Sequence, residues 1–311
     1  MDVYEHKMPE HDAHPRVLFL TQEIEEALTG LMYGIQTRKG FITLTGEVGT
    51  GKTTLINRLL DWLNHRKART AFLFNSRMNS HQLLDFILAE FDIPCDSKSK
   101  SQQLMKLNHW LLDRYRTGET VVLIIDEAQN LTYPVLEEIR LLTNLETSTE
   151  KLIQIVLSGQ PELEEKLKLP QLRQLRQRIM LRCKTAPLSK EQTHHYVTER
   201  LKIAGATGEP IFSTQAADTV YLYSLGIPRV INLLCEHSLV NAFVEQQRPI
   251  QPKIVEDVAS EFQLGEVESI APNGGSKIDS DVYNSEAFLQ NLGEALSRFR
   301  LPPSTTTRER K

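Results

Sequence analysis

Apolar residues recur at helical spacing over residues 21–36, TQEIEEALTGLMYGIQ, where Ile24, Leu28, Leu31, Met32 and Ile35 fall on one face. The period then changes. Phe41 to Thr45 (FITLT) reads as a short apolar strand, and a helix follows from about Lys52 to Asn64. A second strand is expected at Ala71 to Asn75 (AFLFN), and two helical segments between about Ser80 and Tyr115. The β-branched block VVLII at 121–125 is of the kind buried on both faces of a parallel sheet. Pro134 to Leu145 reads as helix, and Leu152 to Leu157 and Ile179 to Cys183 as the last two strands. Strands alternating with helices over residues 20–185 predict an α/β fold, an open parallel sheet covered on both faces.

The texture changes near Pro187. Helical patterns at 189–204, 213–224, 227–246 and 252–263 follow one another with no convincing strand, which predicts a small all-helical domain. Beyond Leu264, GEVESIAPNGGSKIDSD is poor in large apolar residues and rich in turn formers, as in a flexible linker. The stretch SEAFLQNLGEALSRFR then carries Phe288, Leu289, Leu292, Leu296 and Phe299, a face that could dock on the body, a neighbour or a partner. The expected division is an N-terminal arm (1–20), an α/β core (21–186), a helical domain (187–264), and a linker with an amphipathic tail (265–311).

Composition narrows the function classes. With 36 basic and 40 acidic side chains among 311 residues, the net charge of −4 leaves no global basic footprint for nucleic acid or anionic lipid. Cys95, Cys183 and Cys235 are odd in number and far apart, so they form neither a metal spacing nor a disulfide framework and read as buried small hydrophobes. His6, His11 and His14 lie on a polar, acidic N-terminal segment that is not a signal peptide and reads as solvated. No window approaches the ~18 consecutive apolar residues of a membrane span. A cytoplasmic protein is expected.

The chemistry concentrates where the first strand meets its helix. Gly46-x-x-x-x-Gly51-Lys52-Thr53 lies within GEVGTGKTT. Such a loop (Gly46, Glu47, Val48, Gly49, Thr50, Gly51) can wrap its backbone N–H groups around a polyphosphate, while the helix opened by Lys52, Thr53 and Thr54 aims its positive end inward. Lys52 would reach the β- and γ-phosphates, and the Thr53 hydroxyl would ligate Mg²⁺. Chance produces this pattern in roughly 1% of chains this long.

At the end of the VVLII strand stands the pair Asp126-Glu127. In a nucleotide-hydrolysing site Asp126 supports Mg²⁺ and Glu127 orients and polarises the attacking water. A strand ending in a solvated turn or helix cap is the plain alternative. Small-molecule kinases with the same loop have no need of this pair, so it favours water as the nucleophile. Ser158 and Gln160, at the end of LIQIVLSGQPEL, could sense the γ-phosphate or hold that water; a turn at Ser158-Gly159 reads equally well. Asn75 could restrain Glu127, or simply end its strand. Arginine crowds LRQLRQRIMLR at Arg173, Arg176, Arg178 and Arg182, either as a solvated face or as the source of a cation for a neighbouring subunit's phosphates. Gly226-Ile227-Pro228-Arg229 opens a later helix, with Pro in its first turn, and Arg229 could reach back to the phosphates.

Together GEVGTGKTT, VVLIIDEAQNL, LSGQPEL, LRQLRQRI and GIPRVINLLCEHSLVNA resemble the AAA+ ATPases of the ExeA, or general secretion pathway protein A, type. Relatives of that type include ATPases of type IV pilus and exopolysaccharide systems and the TniB/TnsC-like transposition ATPases. The resemblance runs from about Val17 to Leu264. It implies a P-loop αβα core with a parallel five-stranded sheet, a helical lid, and ATP with Mg²⁺ bound at the interface between subunits of a homo-oligomeric ring or filament. On that basis Ser158 or Gln160 takes the sensor 1 place, Arg178 the arginine finger, with Arg176 second in line, and Arg229 sensor 2. Two departures stand out. The lead-in HKMPEHDAHPRVLFLT is a degenerate form of the family's, and residues 265–311 hold neither the membrane span nor the peptidoglycan-binding domain of the secretion members, which favours a regulator without a membrane span.

The leading expectation is an ATP-hydrolysing oligomeric switch that assembles or remodels a protein complex of a secretion, pilus or polysaccharide system. The alternative is an ATP-dependent DNA-binding regulator that recruits a transposase, with DNA contacts from Arg66, Lys67 and Arg69 or from Lys166 and Lys168. A third is a nucleotide-gated scaffold with negligible turnover.

Overall fold

The computed structural model describes residues 19–74 and 78–265. Asn75, the three N-terminal histidines, and the linker and amphipathic stretch beyond Gly265 lie outside the described residues. The chain divides into two compact units, one ending at Ala186 and the other beginning at Pro187.

The first unit opens with α1 (Gln22–Gln36). The Thr21 hydroxyl accepts from the Ile24 N–H, and Glu23 and Glu25 in the first turn suit the positive end of the helix. Five parallel strands follow: β1 (Phe41–Thr45), β2 (Ala68–Leu73), β3 (Thr120–Ile125), β4 (Ile153–Gly159) and β5 (Leu181–Lys184). Their spatial order is β2-β3-β4-β1-β5, so β1 and β3 flank β4 and their ends converge on one edge of the sheet. Register aligns Thr45 with Gly159 and Ile125 with Leu157. Ligands of open α/β sheets bind beyond such carboxyl ends.

Period-2 alternation divides the strand residues between two cores. Ile42, Leu44, Val122, Ile124 and Val156 pack with α1 and α2 (Lys52–Asn64). Phe41, Leu123, Ile125, Ile155 and Leu157 pack on the other face with α3 (Ser80–Glu90), α4 (Lys100–Arg116) and α5 (Tyr133–Leu142). Two short helices follow, α6 (Pro161–Lys168) and α7 (Arg173–Arg176).

Strand ends differ from the sequence reading where polarity misleads. β2 begins at Ala68, three residues early, because Ala68, Arg69 and Thr70 pair with Thr120, Val121 and Val122 on an edge strand that tolerates polar side chains. It stops at Leu73, and Phe74 is 72% exposed. β4 runs on through Ser158 and Gly159, so the expected alternative of a turn there gives way to strand.

The second unit comprises α8 (Lys190–Ile203), α9 (Thr214–Ser224), α10 (Pro228–Val244) and α11 (Pro252–Glu261). Ser189 and Gln192 form a capping box at the start of α8. Cys183 and Cys235 are buried, and burial pushes their thiols up to about 11 and about 12, in Cys235 against the charge of Arg200, so neither is a thiolate at neutral pH. Cys95 is a third free thiol, half-buried.

Candidate functional site

The loop between β1 and α2 uses its three glycines for different reasons. A Cβ on Gly46 would lie 2.0 Å from Thr185 Oγ1 and 2.7 Å from the Thr185 carbonyl oxygen, so Gly46 is required by close packing against the residue after β5. Gly49 and Gly51 take φ of +80° and +96°, which glycine adopts without a Cβ penalty. At Gly51 an added Cβ would meet nothing within 4 Å; that side of the loop is open. Thr50 is buried and ties the loop down, with its hydroxyl donating to the Glu47 carbonyl oxygen at 2.7 Å and sharing a 2.7 Å hydrogen bond with Thr185 Oγ1.

Helix α2 starts at Lys52 with no side chain capping its first turn. Its leading N–H groups therefore have no intrahelical acceptor and remain available to an anion. The Lys52 ammonium curls back over the loop and donates to the carbonyl oxygens of Gly46 (2.7 Å) and Glu47 (2.9 Å). Burial pulls its pKa below the ordinary lysine value, against the carboxylates of Glu127, Asp126, Glu47 and Glu162, which push it up. Thr53 is exposed and Thr54 half-buried on the same turn.

The acidic pair sits at the end of β3, as its apolar strand predicts. Asp126 is buried, and its Oδ1 accepts from Ser158 Oγ (2.7 Å) and from the Glu127 N–H (3.0 Å). Both bonds fall on one oxygen, and Asp126 caps no helix. Glu127 adopts the left-handed region, φ +51°, which costs a non-glycine residue of order 1 kcal/mol or more and marks a position held by its surroundings. Its Oε2 accepts from two amide side chains, Gln129 Nε2 and Gln160 Nε2, the latter at 3.3 Å. Lys52, Asp126, Glu127, Ser158 and Gln160 are thus gathered at the carboxyl ends of β1, β3 and β4. This chemistry fits a metal–phosphate group: a buried carboxylate with one oxygen unclaimed among the described residues, a flanking lysine, an uncapped helix start and an open glycine.

A family model described as an AAA domain matches residues 35–167, which span the glycine loop, the acidic pair, Ser158 and Gln160. The chain carries an AAA domain over those residues. It is 43% identical over 238 residues to general secretion pathway protein A of Aeromonas hydrophila, a match that covers 76% of this chain and 43% of that protein. The chain therefore spans less than half the length of that relative. Its fold is similar to that of the Aeropyrum pernix ORC2 protein in ADPNP–ADP complexes, with a TM-score of 0.56 and 15% identity over 81% of this chain and 70% of that one. Cdc6p from Pyrobaculum aerophilum gives a TM-score of 0.56 and 18% identity over 77% and 66% of the two chains. At those identities the likeness is one of fold.

Beyond the matched AAA domain, the candidate arginines are placed differently from one another. Arg176, on α7, donates to the Lys168 carbonyl oxygen at 3.4 Å. Arg178 is half-buried in the turn before β5, and its charge is one of the influences holding the Glu146 carboxyl low, after the hydrogen bond and charge of Lys151. Arg173 and Arg182 are exposed. Arg229 lies in the first turn of α10, in the second unit. Gly226 sets that turn: it takes φ +75°, and a Cβ on it would lie 1.9 Å from the Leu188 carbonyl oxygen.

The basic clusters considered for DNA are largely engaged. Arg66 lies over the Trp62 ring at 4.3 Å and Arg69 pairs with Glu119 at 2.8 Å, leaving Lys67 exposed. Lys168 pairs with Glu165, and Lys166 donates to the carbonyl oxygens of Gln129 and Leu131. No helix among the described residues is long and apolar enough to cross a membrane.

Several residues of the site carried no sequence signal. Gln129 is one, and Thr185 and Glu164 are others. Glu164 accepts from the Thr45 hydroxyl (2.5 Å) and pairs with Lys184 (2.9 Å), bracing the end of β1.

Proposed function

We propose that this chain binds ATP with Mg²⁺ and hydrolyses it, working as an oligomeric switch that assembles or remodels a protein complex. The carrying observation is that Asp126 and Glu127 share a site with Lys52, beside a glycine loop whose Gly51 side is open. On this reading the loop 46–51 and the first turn of α2 cradle the phosphates, with Lys52 moving from the Gly46 and Glu47 carbonyl oxygens to the phosphate oxygens. Thr53 and Asp126 hold the Mg²⁺, which supplies charge neutralisation on the phosphates. Asp126 is held in orientation by the donors on its Oδ1. Glu127 takes a proton from the attacking water, and Gln160 or Ser158 marks the γ-phosphate position. Arg178 acts on the nucleotide of a neighbouring subunit.

The 43% identity to general secretion pathway protein A supports a partner within a macromolecular assembly. The engaged state of Arg66, Arg69, Lys166 and Lys168 gives the DNA-binding alternative no support. The direct test is binding and phosphate release by the purified chain. ATP should bind only weakly without Mg²⁺, and Lys52→Ala should abolish binding; phosphate release indistinguishable from buffer would reject hydrolysis.

A further inference from the structure

One polar side chain that touches the acidic pair has been given no role so far. Gln129 lies on the single 3₁₀ turn Ala128–Asn130 that follows Glu127. Its amide is orientated without ambiguity. The Gln160 backbone N–H, which can only donate, reaches Gln129 Oε1 at 3.1 Å, so the carbonyl end faces β4 and the NH₂ end faces Glu127 Oε2. The space for that carbonyl exists because residue 159 is glycine: a Cβ there would lie 2.8 Å from Gln129 Oε1. Gly159 has no positive φ, so close approach, not backbone conformation, accounts for glycine here. The turn itself is pinned from below, since Lys166 donates to the carbonyl oxygens of Gln129 and Leu131.

The result is a rigid bridge from the end of β4 to the carboxylate of Glu127. Gln129 and Gln160 both donate to Oε2, and among the described residues no donor is placed on Oε1, the oxygen assigned here to accept the proton. A Glu side chain has three rotatable bonds, and φ +51° at its own backbone offers no compensating restraint. We infer that Gln129 is a positioning residue for Glu127, and that Gly159 serves this bridge by leaving room for the Gln129 amide. The inference rests on the reading of the site as one that hydrolyses ATP.

Four variants of the full chain test it: Gln129→Glu, Gly159→Ala, Gln129→Ala, and Gln129→Ala combined with Gly159→Ala. Gln129→Glu keeps the side-chain size and the acceptor for the Gln160 N–H but cannot donate to Glu127. Gly159→Ala removes no polar group and displaces the Gln129 amide, its nearest contact; the next are Leu163 Cδ2 at 3.0 Å, the tip of a flexible side chain, and Leu163 Cβ at 3.3 Å. Each single variant should lower kcat by about 10- to 100-fold, the range expected for displacing a catalytic group by about 1 Å. The Kd for a fluorescent ATP analogue should stay within about twofold, and melting temperatures should show each variant folded. In the double variant the new Cβ has no amide to displace, so kcat should be no lower than in Gln129→Ala. Unchanged kcat in Gln129→Glu, or losses that multiply in the double variant, would overturn the bridge while leaving hydrolysis intact. A wild-type chain that binds ATP and releases no phosphate would overturn the hydrolysis reading, and this inference with it.

Discussion

Ser158 Oγ donates to Asp126 Oδ1 at 2.7 Å, joining the ends of β4 and β3 in a fully buried contact. A hydroxyl that donates to a buried carboxylate satisfies one of its oxygens and fixes its orientation. Ser158→Ala should cost about 1.5–3 kcal/mol, the usual worth of a hydrogen bond to a charged group, in urea unfolding. It should also raise the Mg²⁺ concentration needed for half-maximal turnover. A loss below about 0.5 kcal/mol, the lower end for any net hydrogen bond, would mean the contact contributes little.

The glycines of the loop should separate in their effects. Gly46→Ala places a Cβ against Thr185 Oγ1 and its carbonyl oxygen, and the backbone atom cannot step aside. It should destabilise the chain by about 2–3 kcal/mol or more, a scale set by overpacking. Gly51→Ala meets no neighbour and pays only for φ +96°, about 1–2 kcal/mol. Urea midpoints for the two variants check the order, and equal losses would contradict it.

Much of this site was legible in the sequence, for physical reasons. A buried strand ending in two carboxylates, and a glycine loop ending in lysine and threonine, are costly unless they face a cation and an anion. Lys52, Asp126 and Glu127 were therefore readable before any coordinates. Ser158 was half-legible, because a polar residue after LIQIVL fits a turn as well as a strand, and only pairing with Leu44 places it in β4. Gln129 was not legible. An uncharged amide two residues past the acidic pair has no periodicity or spacing to betray it, and its role comes from a contact 31 residues away. Helix α6 was missed because PELEEKLK is too short to show a clear period.

Glu164 gives the fold a measurable acid sensitivity. Burial works to raise its pKa, but hydrogen bonds from Thr45 and Lys184, with the charges of Lys184 and Arg182, outweigh it and hold the carboxyl below the usual value. A depressed carboxylate pKa contributes stability that is full above the unfolded value of about 4.3 and is lost as pH falls through the folded one. Glu164→Gln should flatten this part of the decline in urea midpoint between about pH 6 and pH 3, a range bracketing that unfolded value. An acid limb identical to wild type would place the sensitivity elsewhere.

Arg178 should behave as a residue that acts across subunits. Arg178→Ala is expected to bind nucleotide normally and lose about 10³-fold in turnover, the lower end for an arginine finger. Wild-type turnover per chain should rise with protein concentration as subunits meet. Turnover independent of concentration, with Arg178→Ala unimpaired, would exclude this role.

The central claim is that Glu127 drives hydrolysis at a site built to bind ATP. It is tested most directly by phosphate release from purified Glu127→Gln under saturating ATP and Mg²⁺. The account predicts at least about a 100-fold loss, the low end for removing a general base, in a protein that still binds ATP. Wild-type release from that variant would contradict it.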